Sequence, residues 1–146
     1  MTSEPEPRVG VVVPIYNVEP YLEECLASIA RQSVRELDVV LVDDGSTDAS
    51  AEIARAFAGR DPRFRLIRQP NGGLGNARNT GAANVRGRFL AFVDSDDVLP
   101  DHALELLAGT LEETGSDIAS GNVELLTEDG LVQSPMVGPP PTRAQA

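Results

Sequence analysis

Two groups of acidic residues are spaced for chemistry. Asp43-Asp44-Gly45-Ser46-Thr47-Asp48 follows the stretch Leu37 to Val42, and Asp94-Ser95-Asp96-Asp97 follows the apolar run Phe89 to Val93. Carboxylates at close range repel unless something offsets them. A divalent cation does this well, and hard cations take oxygen ligands. Acids in such places also cap the helices that follow and complement their dipoles. Capping is the expected role of Asp48 and Asp101. At Asp94 and Asp96, three acids within four residues exceed what a cap needs, so cation binding is expected there.

The elements that must carry these groups alternate. Val9 to Val13 is continuously apolar, as strands covered on both faces are. Tyr21, Leu22, Cys25, Leu26, Ile29 and Ala30 recur at helical spacing, predicting a helix over about residues 19–32. Leu37 to Val42 is a second strand. Ser46 or Thr47 is the expected cap of a helix holding Ala51, Ile53, Ala54 and Phe57. Phe64, Leu66 and Ile67 make a short strand, and the loop Asn71 to Gly75 leads to a helix over about 74–86. Phe89 to Val93 is the fourth strand, Asp101 to Leu111 the fourth helix, and Ile118 to Leu126 a fifth strand interrupted by Gly121 and Asn122. This order predicts an α/β fold of the Rossmann-like three-layer kind, with a mostly parallel sheet. Ligands of such sheets bind beyond the carboxyl ends of the strands. Residues 1–8 are expected as a flexible N-terminus, 9–126 as the domain, and the proline-bearing 127–146 as a linker or disordered tail.

Composition removes other classes. The 146 residues carry 12 basic and 23 acidic side chains, a net charge of −11, and the basic ones are all arginine. The surplus is local: residues 1–88 hold 11 arginines against 12 acids, and residues 89–146 hold 1 against 11. An acidic domain repels a phosphate backbone, so nucleic acid is not an expected partner. No apolar stretch reaches the ~20 residues of a membrane span, and Met1 to Pro7 has no secretory-signal pattern. The lone Cys25 forms no internal disulfide, which fits a reducing, cytoplasmic compartment. Without lysine there is no Gly-Lys-Ser/Thr phosphate loop.

The motifs Val11-Val12-Val13-Pro14-Ile15-Tyr16-Asn17, Val42-Asp43-Asp44-Gly45-Ser46-Thr47-Asp48, Asn71-Gly72-Gly73 with Ala77-Arg78-Asn79-Thr80-Gly81, and Phe92-Val93-Asp94-Ser95-Asp96-Asp97 resemble, in this order, the family 2 glycosyltransferases with their GT-A type of catalytic domain. The resemblance covers residue 9 to about 125 and is nearest to domains that open long bacterial cell-envelope polymer transferases. It implies that Pro14, Tyr16, Asn17 and Glu19 line a nucleotide pocket and that Asp44 accepts a hydrogen bond from the base. It implies that Asp94, with Ser95 beside it, and Asp96 meet the ribose and a Mg²⁺ or Mn²⁺ on the diphosphate, Asp97 replacing or assisting Asp96. Arg78 would face the diphosphate, which arginine grips in a bidentate manner. The partners implied are a nucleotide diphosphate sugar donor and a saccharide, polyol-phosphate or lipid-linked acceptor, with membrane association through regions not present here.

Rival classes fit less well. Asp94-Ser95-Asp96-Asp97-Val98 also suits a haloacid-dehalogenase-like phosphatase, and an acidic pair at a strand end suits a receiver domain, but both want a lysine. A nicotinamide-binding fingerprint needs glycines after the first strand, and none stands there. A nucleotide-sugar-binding module without catalysis stays open. Family 2 domains continue further and supply a carboxylate base for the acceptor hydroxyl. Glu124, Glu128 and Asp129 lie in no recognisable form of that motif, so the base is expected outside this chain.

Overall fold

In a computed structural model, residues 5–119 and the strands 124–127 and 130–133 are described. The order is β1 (Val9–Ile15), α1 (Glu19–Ala30), β2 (Leu37–Asp43), α2 (Ser50–Arg60), β3 (Phe64–Arg68), α3 (Leu74–Asn84), β4 (Phe89–Phe92), α4 (Ala103–Thr114), β5 (Glu124–Thr127) and β6 (Gly130–Gln133). The chain forms two compact units, residues 1–105 and 106–146.

In the first unit, four parallel strands lie in the order β3-β2-β1-β4. Every residue of β1 and of β2 is buried, as expected for strands covered on both faces. The first two crossovers step one way along the sheet and the third steps back past β1. Right-handed connections therefore put α1 and α2 on one face and α3 on the other. Val40 and Val42 pack with Ala77 of α3, joined by Ile67 and Val85. Strand order reverses between β1 and β4. That reversal is the switch point at which open α/β sheets bind ligands.

Close backbone approach brings β4 to β1. A Cβ at Gly10 would lie 2.6 Å from the Arg86 carbonyl oxygen, and one at Gly87 would overlap the Gly10 nitrogen. Nearby, Asp38 is buried, a position that costs several kcal/mol for an unpaired charge. Arg65 meets it with two bonds of 3.1 and 2.8 Å, and the Arg86 amide adds a third of 2.8 Å. The carboxylate thus ties β2 to β3 and to the turn entering β4.

The second unit differs from expectation. Residues 118 and 119 lie outside any strand, and β5 begins at Glu124. It pairs antiparallel with β6 in its own two-stranded sheet. A strand thus occupies 130–133, inside the stretch expected as linker. The expected features at residues 1–4, 120–123 and 134–146 lie outside the described residues. Gly115, at φ 68°, closes α4 in the left-handed conformation that glycine adopts freely.

Candidate donor-binding site

The site is built from strand ends. β1 delivers the half-exposed Tyr16 and then Asn17, at φ 50°, while Pro14 is buried within the strand. Asparagine tolerates this left-handed conformation. The turn lets Asn17 brace the loop after β2. Its amide donates to Ser46 Oγ at 3.1 Å, and its Oδ1 accepts from the Thr47 and Asp48 amides at 2.8 and 3.3 Å. The Glu19 amide donates to Asp48 at 3.1 Å, and Glu19 Oε2 accepts from the Ala49 amide at 3.5 Å. Two of the expected pocket residues therefore hold one loop against another.

The start of α2 is a correction. Neither Ser46 nor Thr47 caps it; both are engaged with Asn17. The Asp48 carboxylate instead accepts from the Ser50 amide at 2.9 Å. Hydrogen bonding from Ser50 first, and from the Glu19 amide, holds the Asp48 carboxyl below the usual range despite some desolvation.

Asp44 is nearly inaccessible at 3 % exposure. One oxygen accepts from Gln69 Nε2 and the Gly72 amide, each at 2.9 Å, and the other from the Gly73 amide at 3.0 Å. Burial pushes its carboxyl up, but the bonds from Gln69, Gly72 and Gly73 outweigh burial and hold it below the ordinary value. Asp44 thereby anchors the glycine loop from which α3 starts. Gly73, at φ 93°, is the residue before that helix. Gln69, which motif reading did not single out, bonds both Asp44 and, through Oε1, the Thr80 hydroxyl of α3 at 2.7 Å; its only signal was its place at a strand end.

Asp44 binds its proton less readily folded than unfolded. Its contribution to stability is complete at neutral pH and is lost as pH falls through and below about 4. The Asp44→Asn variant turns an amide donor toward backbone donors and is expected to lose about 1–3 kcal/mol at pH 7. Unfolding midpoints measured from acid to neutral pH check this: the variant's acid-side slope should be shallower than that of the wild type.

One turn into α3, Arg78 Nη2 reaches Asp94 Oδ1 at 3.0 Å. The Arg78 Nε is buried without a hydrogen-bond partner among the described residues, so the guanidinium keeps bonding capacity in reserve. Beyond β4, the Val93 amide donates to the Val12 carbonyl and the Asp97 amide to the Asp94 carbonyl, each at 3.0 Å, closing Asp94–Asp97 into a turn. Ser95 is buried in it, while Asp94, Asp96 and Asp97 are exposed. Partial desolvation, then the charges of Asp96 and Asp94, raise the Asp97 carboxyl above its usual range. Beneath the turn, burial and then the charges of Asp97, Asp96 and Asp94 push the Cys25 thiol up to about 12. It stays protonated and faces the Asp94 carbonyl at 3.5 Å.

Arg78 and the acids Asp94–Asp97 thus meet at the switch point, with Asp44 holding the start of the helix that carries Arg78. Among the described residues, no three of His, Cys, Asp and Glu gather closely enough to hold a metal by themselves. Hard cations such as Mg²⁺ are commonly held by one or two carboxylates with substrate phosphates completing the shell. Exposed Asp94 and Asp96 fit that shared kind of site.

The family model for glycosyl transferase family 2 matches residues 10–136. The chain belongs to this family. It is 46% identical over 112 residues to the uncharacterized glycosyltransferase EpsJ of Bacillus subtilis, covering 77% of this chain and 33% of EpsJ. It is 47% identical over 115 residues to glycosyltransferase GlyA of Streptococcus pneumoniae, covering 79% of this chain and 16% of GlyA. The chain thus spans a third or less of these relatives. Among solved structures, S. aureus TarS in complex with UDP-GlcNAc matches with a TM-score of 0.69 and 36% identity, over 75% of this chain and 32% of that one. The mannosyltransferase PcManGT of Pyrobaculum calidifontis, in complex with GDP-Man and Mn²⁺, matches with a TM-score of 0.66 and 30% identity, over 76% and 33%. The parallel α/β sheet of this family 2 domain is the one expected of the GT-A type.

Proposed function

We propose that this family 2 domain forms the donor-binding part of a metal-dependent glycosyltransferase. It would transfer a sugar from a nucleotide diphosphate sugar with inversion. The observation that carries this is the meeting of Arg78 with Asp94 at the switch point, 3.0 Å apart. Departure of the sugar leaves a diphosphate whose negative charge needs stabilising. Arg78 turns its guanidinium from Asp94 to the diphosphate oxygens. Asp94 and Asp96, assisted by Asp97, would hold a Mg²⁺ or Mn²⁺, which when bound neutralises charge on the leaving group. Pro14, Tyr16, Asn17 and Glu19 line the nucleotide pocket, Asp44 accepts a hydrogen bond from the base, and Ser95 stands beside Asp94 at the ribose. The donors bound by TarS and PcManGT support this choice of ligand class.

The acceptor is a saccharide, polyol phosphate or lipid-linked chain of the bacterial envelope. The base that deprotonates the acceptor hydroxyl stands outside this chain, in keeping with the third or less of EpsJ and GlyA that the chain covers. The protein works in the cytoplasm, at the inner face of the membrane in its full-length form. No helix among the described residues is long and apolar enough to cross a membrane.

Calorimetric titration with UDP and GDP, with and without Mn²⁺, tests the proposal. Binding of at least one nucleotide, strengthened by the metal, is the expected result. Absence of binding by every nucleoside diphosphate in Mn²⁺ would sink it.

A further inference from the structure

The acidic turn after β4 is located by residues that carry no charge. Cys25, Ser28 and Gln32 are all fully buried. The first two lie in α1, and Gln32 lies in the turn that closes it, its amide bonded to the Ile29 carbonyl at 3.2 Å. Their spacing puts them on one stripe of the helix. Their partners follow in the same order along the later segment. The Cys25 thiol faces the Asp94 carbonyl at 3.5 Å, and Ser28 Oγ accepts from the Leu99 amide at 3.0 Å. Gln32 Nε2 donates to the Pro100 carbonyl at 2.6 Å, and its Oε1 accepts from the Leu104 amide at 3.1 Å.

The stripe is also linked along itself. Ser28 donates to the Cys25 carbonyl at 2.6 Å, and Gln32 Nε2 donates to the Ser28 carbonyl at 3.1 Å. The carboxamide thus has both its donor side and its acceptor side engaged. Outside it, the Ser33 amide meets the Asp101 carbonyl at 2.8 Å and Arg31 meets the Asp101 carboxylate at 3.1 Å.

Two features separate this arrangement from ordinary packing. Buried amides and hydroxyls lose free energy unless every bond is made, so they fix one geometry where an apolar side chain would accept several. The contacts also bracket the acids: they fall at residue 94 and at 99, 100 and 104, with none on the Asp94, Asp96 or Asp97 carboxylates. The stripe holds the segment on both sides of the acids without engaging their carboxylates, of which Asp94 meets Arg78.

We infer that Ser28 and Gln32 are positioning residues of the donor site, setting where the Asp94–Asp97 turn stands relative to Arg78 and hence the affinity for a cation–nucleotide pair. This rests on the donor-site function proposed above. Support shells behind metal ligands commonly change affinity by about 10–100-fold when removed.

The test compares Gln32→Met, which keeps the length and loses the bonds, with Ser28→Ala, the milder change should Gln32→Met fail to fold. Phe57→Leu serves as a control, because Phe57 packs against Phe64 across α2 and β3 with tilted rings, their centroids 4.8 Å apart. Thermal melting, amide hydrogen exchange at Asp97 and Leu99, and Mn²⁺–UDP calorimetry are read on each. The positioning variants are expected to exchange faster at Leu99 and to bind Mn²⁺–UDP about 10-fold more weakly. The control loses comparable melting temperature and keeps its affinity. Wild-type affinity in both positioning variants, or equal weakening in Phe57→Leu, overturns the inference while the donor site stands. A wild-type chain that binds no nucleoside diphosphate in Mn²⁺, with Leu99 exchange still responding to Gln32→Met, overturns the donor site and this role with it.

Discussion

Replacing Asp96 by alanine is expected to leave the melting temperature near that of the wild type and to weaken nucleoside diphosphate binding in Mn²⁺ by about 100-fold, or ~2.7 kcal/mol. Asp96 is exposed on the turn, so its removal opens no cavity. It also takes away one of the charges that raise the Asp97 carboxyl. Asp94 is the less clean choice, because removing it also releases Arg78 from its 3.0 Å partner and changes two groups at once. The metal contribution should vanish selectively: without Mn²⁺, Asp96→Ala and wild type should bind alike. Calorimetry in chelator and in Mn²⁺ gives both comparisons. A variant that keeps the full metal-dependent gain would remove Asp96 from the cation site.

The largest expected effect on stability lies at the opposite end of β4. Gly87→Ala should cost about 4 kcal/mol or more, in the range reached only by a few mechanisms. The new methyl would meet the Gly10 nitrogen and lie 2.9 Å from both the Gly10 Cα and the Val9 carbonyl carbon. These are backbone atoms of a fully buried strand, with no flexible side chain to move aside. Relief requires β4 to withdraw from β1, which also carries the Asp94 turn out of place. Thermal unfolding followed by circular dichroism measures the loss, and a drop of ~2 °C or less in melting temperature would show that the backbone yields more easily than this geometry implies.

Most of the sheet was legible because β1 and β2 are buried on both faces and so had to be apolar over long runs. The place of the acids at 94–97 beyond a strand end was legible, because the apolar run that ends at Val93 had to be a strand. The loop contacts of Asn17, Glu19 and Asp44 were not. Each is a polar group at a strand end, and whether it faces a ligand or a neighbouring loop depends on what the fold puts opposite it. Asn17 found the 46–48 loop, and Asp44 found Gln69, Gly72 and Gly73. The cap of α2 failed for the same reason, since Ser46 and Thr47 were already engaged by Asn17. Ser28 and Gln32 left no trace in any motif, because their partners at Leu99, Pro100 and Leu104 are distant along the chain. The fifth strand, expected over 118–126, stands at Glu124–Thr127, because its partner is the nearby β6 in an antiparallel pair and not a strand of the parallel sheet.

The pairing of Val9 with Phe89 has a consequence in time as well as in space. As a ribosome makes the chain from its N-terminus, β1 emerges first, and β2 and β3 soon give it one side of a sheet. Its other side waits until β4 has been made. Closing so long a loop is entropically slow, and parallel pairings of this kind delay folding. The seam of β1 with β4, beyond whose carboxyl end Arg78 meets Asp94, is therefore the last part of the four-stranded sheet to acquire its neighbours.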